Sequence, residues 1–86
     1  MFYVYVLRSR ISKRLYTGFT IDLRKRFSEH NADRKGYTRK RGPYELLYYE
    51  ACKNQDDAKA REIFLKSGPG KRYLCNRLKR FLSLTG

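Results

Sequence analysis

Phe2 to Arg8 is apolar at nearly every position, with Tyr3, Tyr5 and Leu7 on one face of an extended chain and Val4 and Val6 on the other. A strand that is apolar on both faces belongs at the centre of a sheet, covered from both sides. Ser9 to Lys13 is a polar link short enough for an antiparallel hairpin, and Arg14 to Thr20 is the second strand. That strand carries Tyr16-Thr17-Gly18, where glycine lets the backbone turn sharply toward a helix. Thr20 and Asp22 both suit the cap of this helix, which is expected to run to about Asp33. Leu23 and Phe27 form its apolar pair, and Arg26 and His30, four apart, share one face beside them.

Arg34 to Pro43, RKGYTRKRGP, is basic, holds two glycines and has no apolar period, so it is a loop. Glu45 to Ala51 is a third strand, apolar on both faces; Glu45 and Glu50, five apart, are expected to face opposite ways. Asn54 caps the next helix, with Asp56 and Asp57 in its first turn where the dipole favours negative charge. Ser67-Gly68-Pro69 ends it. A last helix, from about Gly70 to Leu84, presents Leu74, Leu78, Phe81 and Leu82 as its core stripe. The expected fold is one α/β (α+β) domain over residues 1–86, a three-stranded antiparallel sheet flanked by three helices.

Charge narrows the partners. The chain carries 21 Lys and Arg against 8 Asp and Glu, a net +13, which favours a polyanion. Phosphate backbones, DNA or RNA, come first; an anionic membrane surface is second, and because the C-terminal helix is only a weak candidate for the amphipathic helix this needs, no membrane partner is expected. Arg24 and Lys25, the loop residues Arg34, Lys35, Tyr37, Arg39, Lys40 and Arg41, and Lys71 and Arg72 are the candidate nucleic-acid contacts. The apolar run precedes the basic residues at the N-terminus, the reverse of a signal peptide, and is too short to span a bilayer. Cys52 and Cys75 have no metal-ligand spacing, and buried thiols in a reducing cytoplasm are expected.

With 8 acidic residues, the search for a metal ligand is short. Asp22, Asp56 and Asp57 have capping roles, and Glu29 and Asp33 face bases. Glu62 falls on a semi-buried helix face, so it should be paired with a nearby Arg or Lys or bound to a cation. An oxygen-ligated Mg²⁺ needs little more than one such carboxylate, water and a substrate phosphate. Tyr5 and Tyr16 are placed to be neighbours across the hairpin. A phenol near pKa 10 is only about 0.1% ionised at pH 7, roughly 4 kcal/mol from acting as a base. Arg26 or a metal ion close by would narrow that gap. The single histidine excludes His-pair metal sites, and GPGK at 68–71 lacks the context of a phosphate loop.

In order along the chain, Tyr3-Val4-Tyr5, Tyr16-Thr17-Gly18, Arg26, His30 and Glu62 resemble the pattern of the GIY-YIG nuclease superfamily, in particular its small stand-alone bacterial members. The resemblance extends from Phe2 to about Leu78. It implies a Mg²⁺-dependent endonuclease, with Mn²⁺ as a substitute, that hydrolyses DNA phosphodiester bonds, structure-directed in repair or recombination. It implies that Tyr5 and Tyr16 line the site, one of them (Tyr16 by preference) activating the attacking water. Arg26 would stabilise the scissile phosphate, His30 would hydrogen-bond to a tyrosine or to phosphate, and Glu62 would bind the metal. Three positions depart from the pattern: Tyr3 replaces a glycine, Phe19 stands where some relatives carry lysine, and only Asn76 is available for an asparagine that many place after the glutamate. The alternative on the same scaffold is a nucleic-acid-binding module that cleaves nothing. Specificity is expected from a second copy in a homodimer or from a protein partner, and the location is expected to be cytoplasmic.

Overall fold

The computed structural model describes residues 1–32 and 43–85. The N-terminal strand β1 (Phe2–Ser9) lies between β2 (Leu15–Thr20) and β3 (Tyr44–Cys52), antiparallel to both. The hairpin from β1 to β2 is closed by Ser9, whose Oγ accepts from the backbone N–H groups of Ile11 and Ser12. Four helices follow: α1 (Leu23–Asn31), α2 (Gln55–Lys66), α3 (Gly68–Arg77) and α4 (Lys79–Thr85).

Alternation along β1 divides the core in two. Val4 and Val6 are fully buried against Ala58 and Leu65 of α2 and Leu74 of α3. Tyr5 and Leu7 pack on the other face with Tyr44, Tyr16 and the α1 residues Leu23 and Phe27. The central position predicted for the first strand is therefore the observed one.

Three expectations need correction. Glu45 and Glu50 share a face, because the β1–β3 register skips from Val6↔Tyr48 to Leu7↔Leu46 and leaves Leu47 as an extra residue in β3. A bulge of one residue reverses side-chain parity beyond it. Glu45 thus meets Arg8, whose Nη2 and Nε donate to Oε1 at 2.7 and 3.0 Å, and Glu50 takes a bidentate pair from Arg61 of α2 at 2.8 and 2.7 Å.

The expected last helix is two, so the sheet is flanked by four helices rather than three. Leu78 leaves helical geometry (φ −108°, ψ 16°), and the bend brings Phe81 of α4 over the Arg8 guanidinium, 5.5 Å from its ring centroid. Pro69 begins α3 rather than merely ending α2, because its missing N–H costs nothing in a first turn. Ser67 caps α3 through Gly70 N–H, and a Cβ on Gly70 would collide with the Phe64 backbone. Finally, Cys75 is exposed and Cys52 half-buried, both as free thiols.

Candidate active site

Register builds the first half of the site. Tyr5 stands opposite Gly18, and Leu7 opposite Tyr16, so the two tyrosines are diagonal neighbours on one face with ring centroids 6.4 Å apart. The Tyr5 ring lies directly across Gly18: a Cβ there would overlap its hydroxyl oxygen and Cζ. Gly18 is thus needed for close approach within a strand that continues to Thr20, and the turn comes later, at Ile21-Asp22.

The second half comes from α1. Asp22 Oδ1 accepts the Lys25 N–H at 3.1 Å and fixes the helix start. Asn31 fixes its end: Oδ1 accepts the Tyr44 N–H at 2.7 Å, and Nδ2 donates to the Tyr44 carbonyl at 3.1 Å. Held at both ends, α1 delivers His30 to the tyrosines. Its Nε2 lies 2.8 Å from the Tyr5 hydroxyl, and its ring centroid lies 5.0 Å from that of Tyr16 and 6.3 Å from that of Tyr44. Arg26, one turn earlier, pairs with Glu29 at 3.2 Å and also reaches the Tyr5 hydroxyl.

These contacts assign the protons. Burial pushes the His30 pKa down to about 4, with the Arg26 charge acting the same way against a weaker pull from Glu29. The imidazole is therefore neutral at pH 7. Burial also pushes Tyr5 up to about 12; Arg26 opposes this, while Tyr16 and Glu62 add to it. Arg26 can only donate toward the Tyr5 oxygen, and the 2.8 Å bond between Tyr5 and His30 joins two neutral groups, its donor set by the imidazole tautomer.

Glu62 enters from α2. It is near enough for its charge to act on Tyr5, and its Oε2 pairs with Lys66 Nζ at 3.1 Å. Of the two alternatives for Glu62, an ion pair or a bound cation, the pair with a nearby lysine is the one observed. Lys66 in turn lines a cavity of about 230 Å³ with Tyr16, Thr17 and Lys71 at the β2 edge. Among the described residues no group of three or more His, Cys, Asp or Glu could hold a metal. One carboxylate facing water and a substrate phosphate nevertheless fits Mg²⁺, which keeps several waters and takes few protein ligands. The i,i+4 pair with half-exposed Lys66 is weak enough to yield.

The structure thus brings Tyr5, Tyr16, Arg26 and His30 together, with Glu62 at the edge. Arg24, Lys25, Lys71 and Arg72 are exposed. Arg34, Lys35, Tyr37, Arg39, Lys40 and Arg41 lie outside the described residues. Asn76 is exposed on α3. Sequence reasoning missed Asn31 and Tyr44; the one available signal was an asparagine at the end of α1, a type that favours helix termini.

Comparison with known proteins gives the family and agrees with the fold. A family profile described as the GIY-YIG catalytic domain matches residues 1–74. A UPF0213 protein encoded in the ldhD 5′ region of Pediococcus acidilactici is 47% identical over 68 residues, covering 76% of this chain and 68% of that protein. A UPF0213 protein of Clostridium perfringens (strain 13 / Type A) is 43% identical over 67 residues, covering 77% and 71%. The solution NMR structure of a UPF0213 protein from Bacillus halodurans superimposes with a TM-score of 0.55 at 32% identity, covering 88% of this chain and 84% of the other. With that profile spanning most of its length and UPF0213 relatives matching it in sequence and in fold, the chain belongs to the GIY-YIG nuclease family.

Proposed function

We propose that the protein is a divalent-metal-dependent endonuclease that hydrolyses phosphodiester bonds in DNA. The observation that carries this reading is the meeting of two phenols, an imidazole and a guanidinium from three separate elements, with a carboxylate close enough to act on one of the phenols.

Within it the two tyrosines have different work. Tyr5 is 1% exposed, and at a pKa of about 12 only about one molecule in 10⁵ is ionised at pH 7, ~7 kcal/mol from a phenolate. Its hydrogen bond to His30 and contact with Arg26 suit a positioning part. Tyr16 is half-buried and borders the cavity at the β2 edge, so its hydroxyl suits the taking of a proton from an attacking water. Arg26, with a third of its side chain exposed, is placed to hold a phosphoryl oxygen. Neutral His30 hydrogen-bonds Tyr5 without adding a second positive charge. Glu62 would hold the metal, which when bound supplies charge stabilisation to the phosphoryl and leaving oxygens. Lys66 and Lys71 border the same cavity and offer positive charge where Phe19 offers none.

The test is cleavage of end-labelled duplex, single-stranded, flapped and branched DNA with Mg²⁺ or Mn²⁺. Wild type should cut at least one form; Glu62→Ala should abolish cutting, and Arg26→Ala should reduce it by about 10²–10³-fold. No cutting of any form, with DNA binding intact, would leave a binding module in its place.

A further inference from the structure

Beside the catalytic cluster, α1 and the sheet enclose an open cleft of about 650 Å³ lined by Tyr3, Ile21, Arg24, Phe27, Leu46 and Tyr49 among others. The volume falls in the range of sites that hold small ligands. Its apolar side chains are unusually open: Ile21 is 69% exposed, Tyr49 52% and Leu46 36%. The Tyr3 and Tyr49 rings stand 6.1 Å apart at 59°, forming two walls of a corner. An exposed aromatic ring beside exposed Ile21 and Leu46 in one hollow marks a binding surface more than a core.

The charges choose the occupant. Among the described residues Arg24 is the cation lining the cleft, and the acid beside it, Asp22, is held by its bond to the Lys25 N–H. An aromatic corner under a guanidinium is the chemistry of a nucleobase with its phosphate. A second copy would have to bring another +13 chain against this one, which repulsion opposes.

Position argues the same way. Leu23 and Phe27 line the cleft and also pack against the cluster of Tyr5 and Leu7. Tyr3 lies two residues from Tyr5 on the same face of β1, roughly 7 Å along the strand. A base within a duplex is stacked on both faces and cannot lay one on Tyr49; an unpaired base can.

We infer that this cleft is a base-binding subsite for one unpaired nucleotide next to the cleaved bond, its base against Tyr49 and Tyr3 and its phosphate toward Arg24. As part of the substrate path it rests on the nuclease reading, but its binding test does not depend on cleavage.

The experiment is fluorescence anisotropy of a labelled single strand and of the same sequence as duplex, in chelator, with the full chain. Tyr49→Ala should weaken single-strand binding by about 5- to 150-fold, the worth of one aromatic–base stack, and leave duplex binding unchanged. Tyr49→Phe should restore it, and 2-aminopurine in the single strand should be quenched by wild type but not by Tyr49→Ala. Binding is read in chelator, where no cutting is required, so a chain that fails to cut can still pass. Unchanged single-strand affinity in Tyr49→Ala, or equal loss on both forms, overturns the proposal. So does a shift by Tyr49→Ala from dimer to monomer in sedimentation, which would give the cleft to a second copy.

Discussion

Val4 and Val6 point from β1 into a closed layer made by α2 and α3, while Tyr5, between them, points at an imidazole and a guanidinium on α1. Neighbouring residues of one strand therefore meet opposite physics. On the first side every buried side chain of the central cluster is aliphatic, and its stability comes from area removed from water. On the second, burial acts on titratable groups and moves His30 and Tyr5 in opposite directions, both toward the neutral form. Such a strand lets a small domain hold a packed aliphatic floor under a polar site, because alternate residues of one backbone serve separate clusters.

The comparison breaks most visibly through the aliphatic side. Leu65 of α2 is fully buried against Val4 and Val6. Leu65→Ala should cost about 2–5 kcal/mol, lowering Tm by about 10 °C or more in a domain of this size. Thermal unfolding by circular dichroism reads this directly. Leu65 also lines the cavity beside Tyr16 but does not pack against Tyr5 or Leu7, so cleavage per folded molecule should fall far less than stability; a large loss at full folding would mean the two sides are coupled.

A smaller effect tests the titratable side alone. In the unfolded chain His30 takes its proton near pH 6.5, and in the folded chain near pH 4. Between those values the unfolded state binds the extra proton, so stability falls as pH drops through the window. From pH 7 to pH 5 the loss should be about 2 kcal/mol, seen as a lower urea midpoint. Glu50, held below the usual carboxylate range by Arg61, weakens the fold in the same direction but under more acid conditions. His30→Gln should flatten the slope between pH 7 and 5, and an unchanged slope would place the titration elsewhere.

The sequence made much of this legible. Alternation placed β1 at the centre, capping residues located the starts of α1 and α2, and the ordered tyrosines, Arg26, His30 and Glu62 marked the site. What stayed hidden were contacts between distant segments. Leu46, Leu47, Tyr48 and Tyr49 are apolar in every register, so nothing in composition marks Leu47 as the extra residue that turns Glu45 toward Arg8. The bend at Leu78 accompanies a contact of Phe81 with Arg8, seventy-three positions away in sequence. Asn31 reads as a helix-end residue, and its grip on Tyr44 depends on where β3 begins.

Gly18 sharpens the comparison at a single atom. Its place in the Tyr-Thr-Gly triplet suggests a turn, yet it sits in mid-strand, and the space above it is filled by the Tyr5 ring. Gly18→Ala adds one methyl group that overlaps the Tyr5 hydroxyl and Cζ, and the ring must move because the strand backbone cannot. Overpacking of this kind costs about 1–3 kcal/mol. The larger consequence is chemical: displaced, Tyr5 loses the 2.8 Å bond to His30, whose buried imidazole then lacks that partner. Cleavage should fall more than stability does, while Val4 and Val6 stay packed against α2. The histidine Nε2 resonance, followed by NMR, should shift toward that of an imidazole without the phenol. If Gly18→Ala left that resonance and the cleavage rate unchanged, the ring would have room to spare and the strand pairing would not be what places the site.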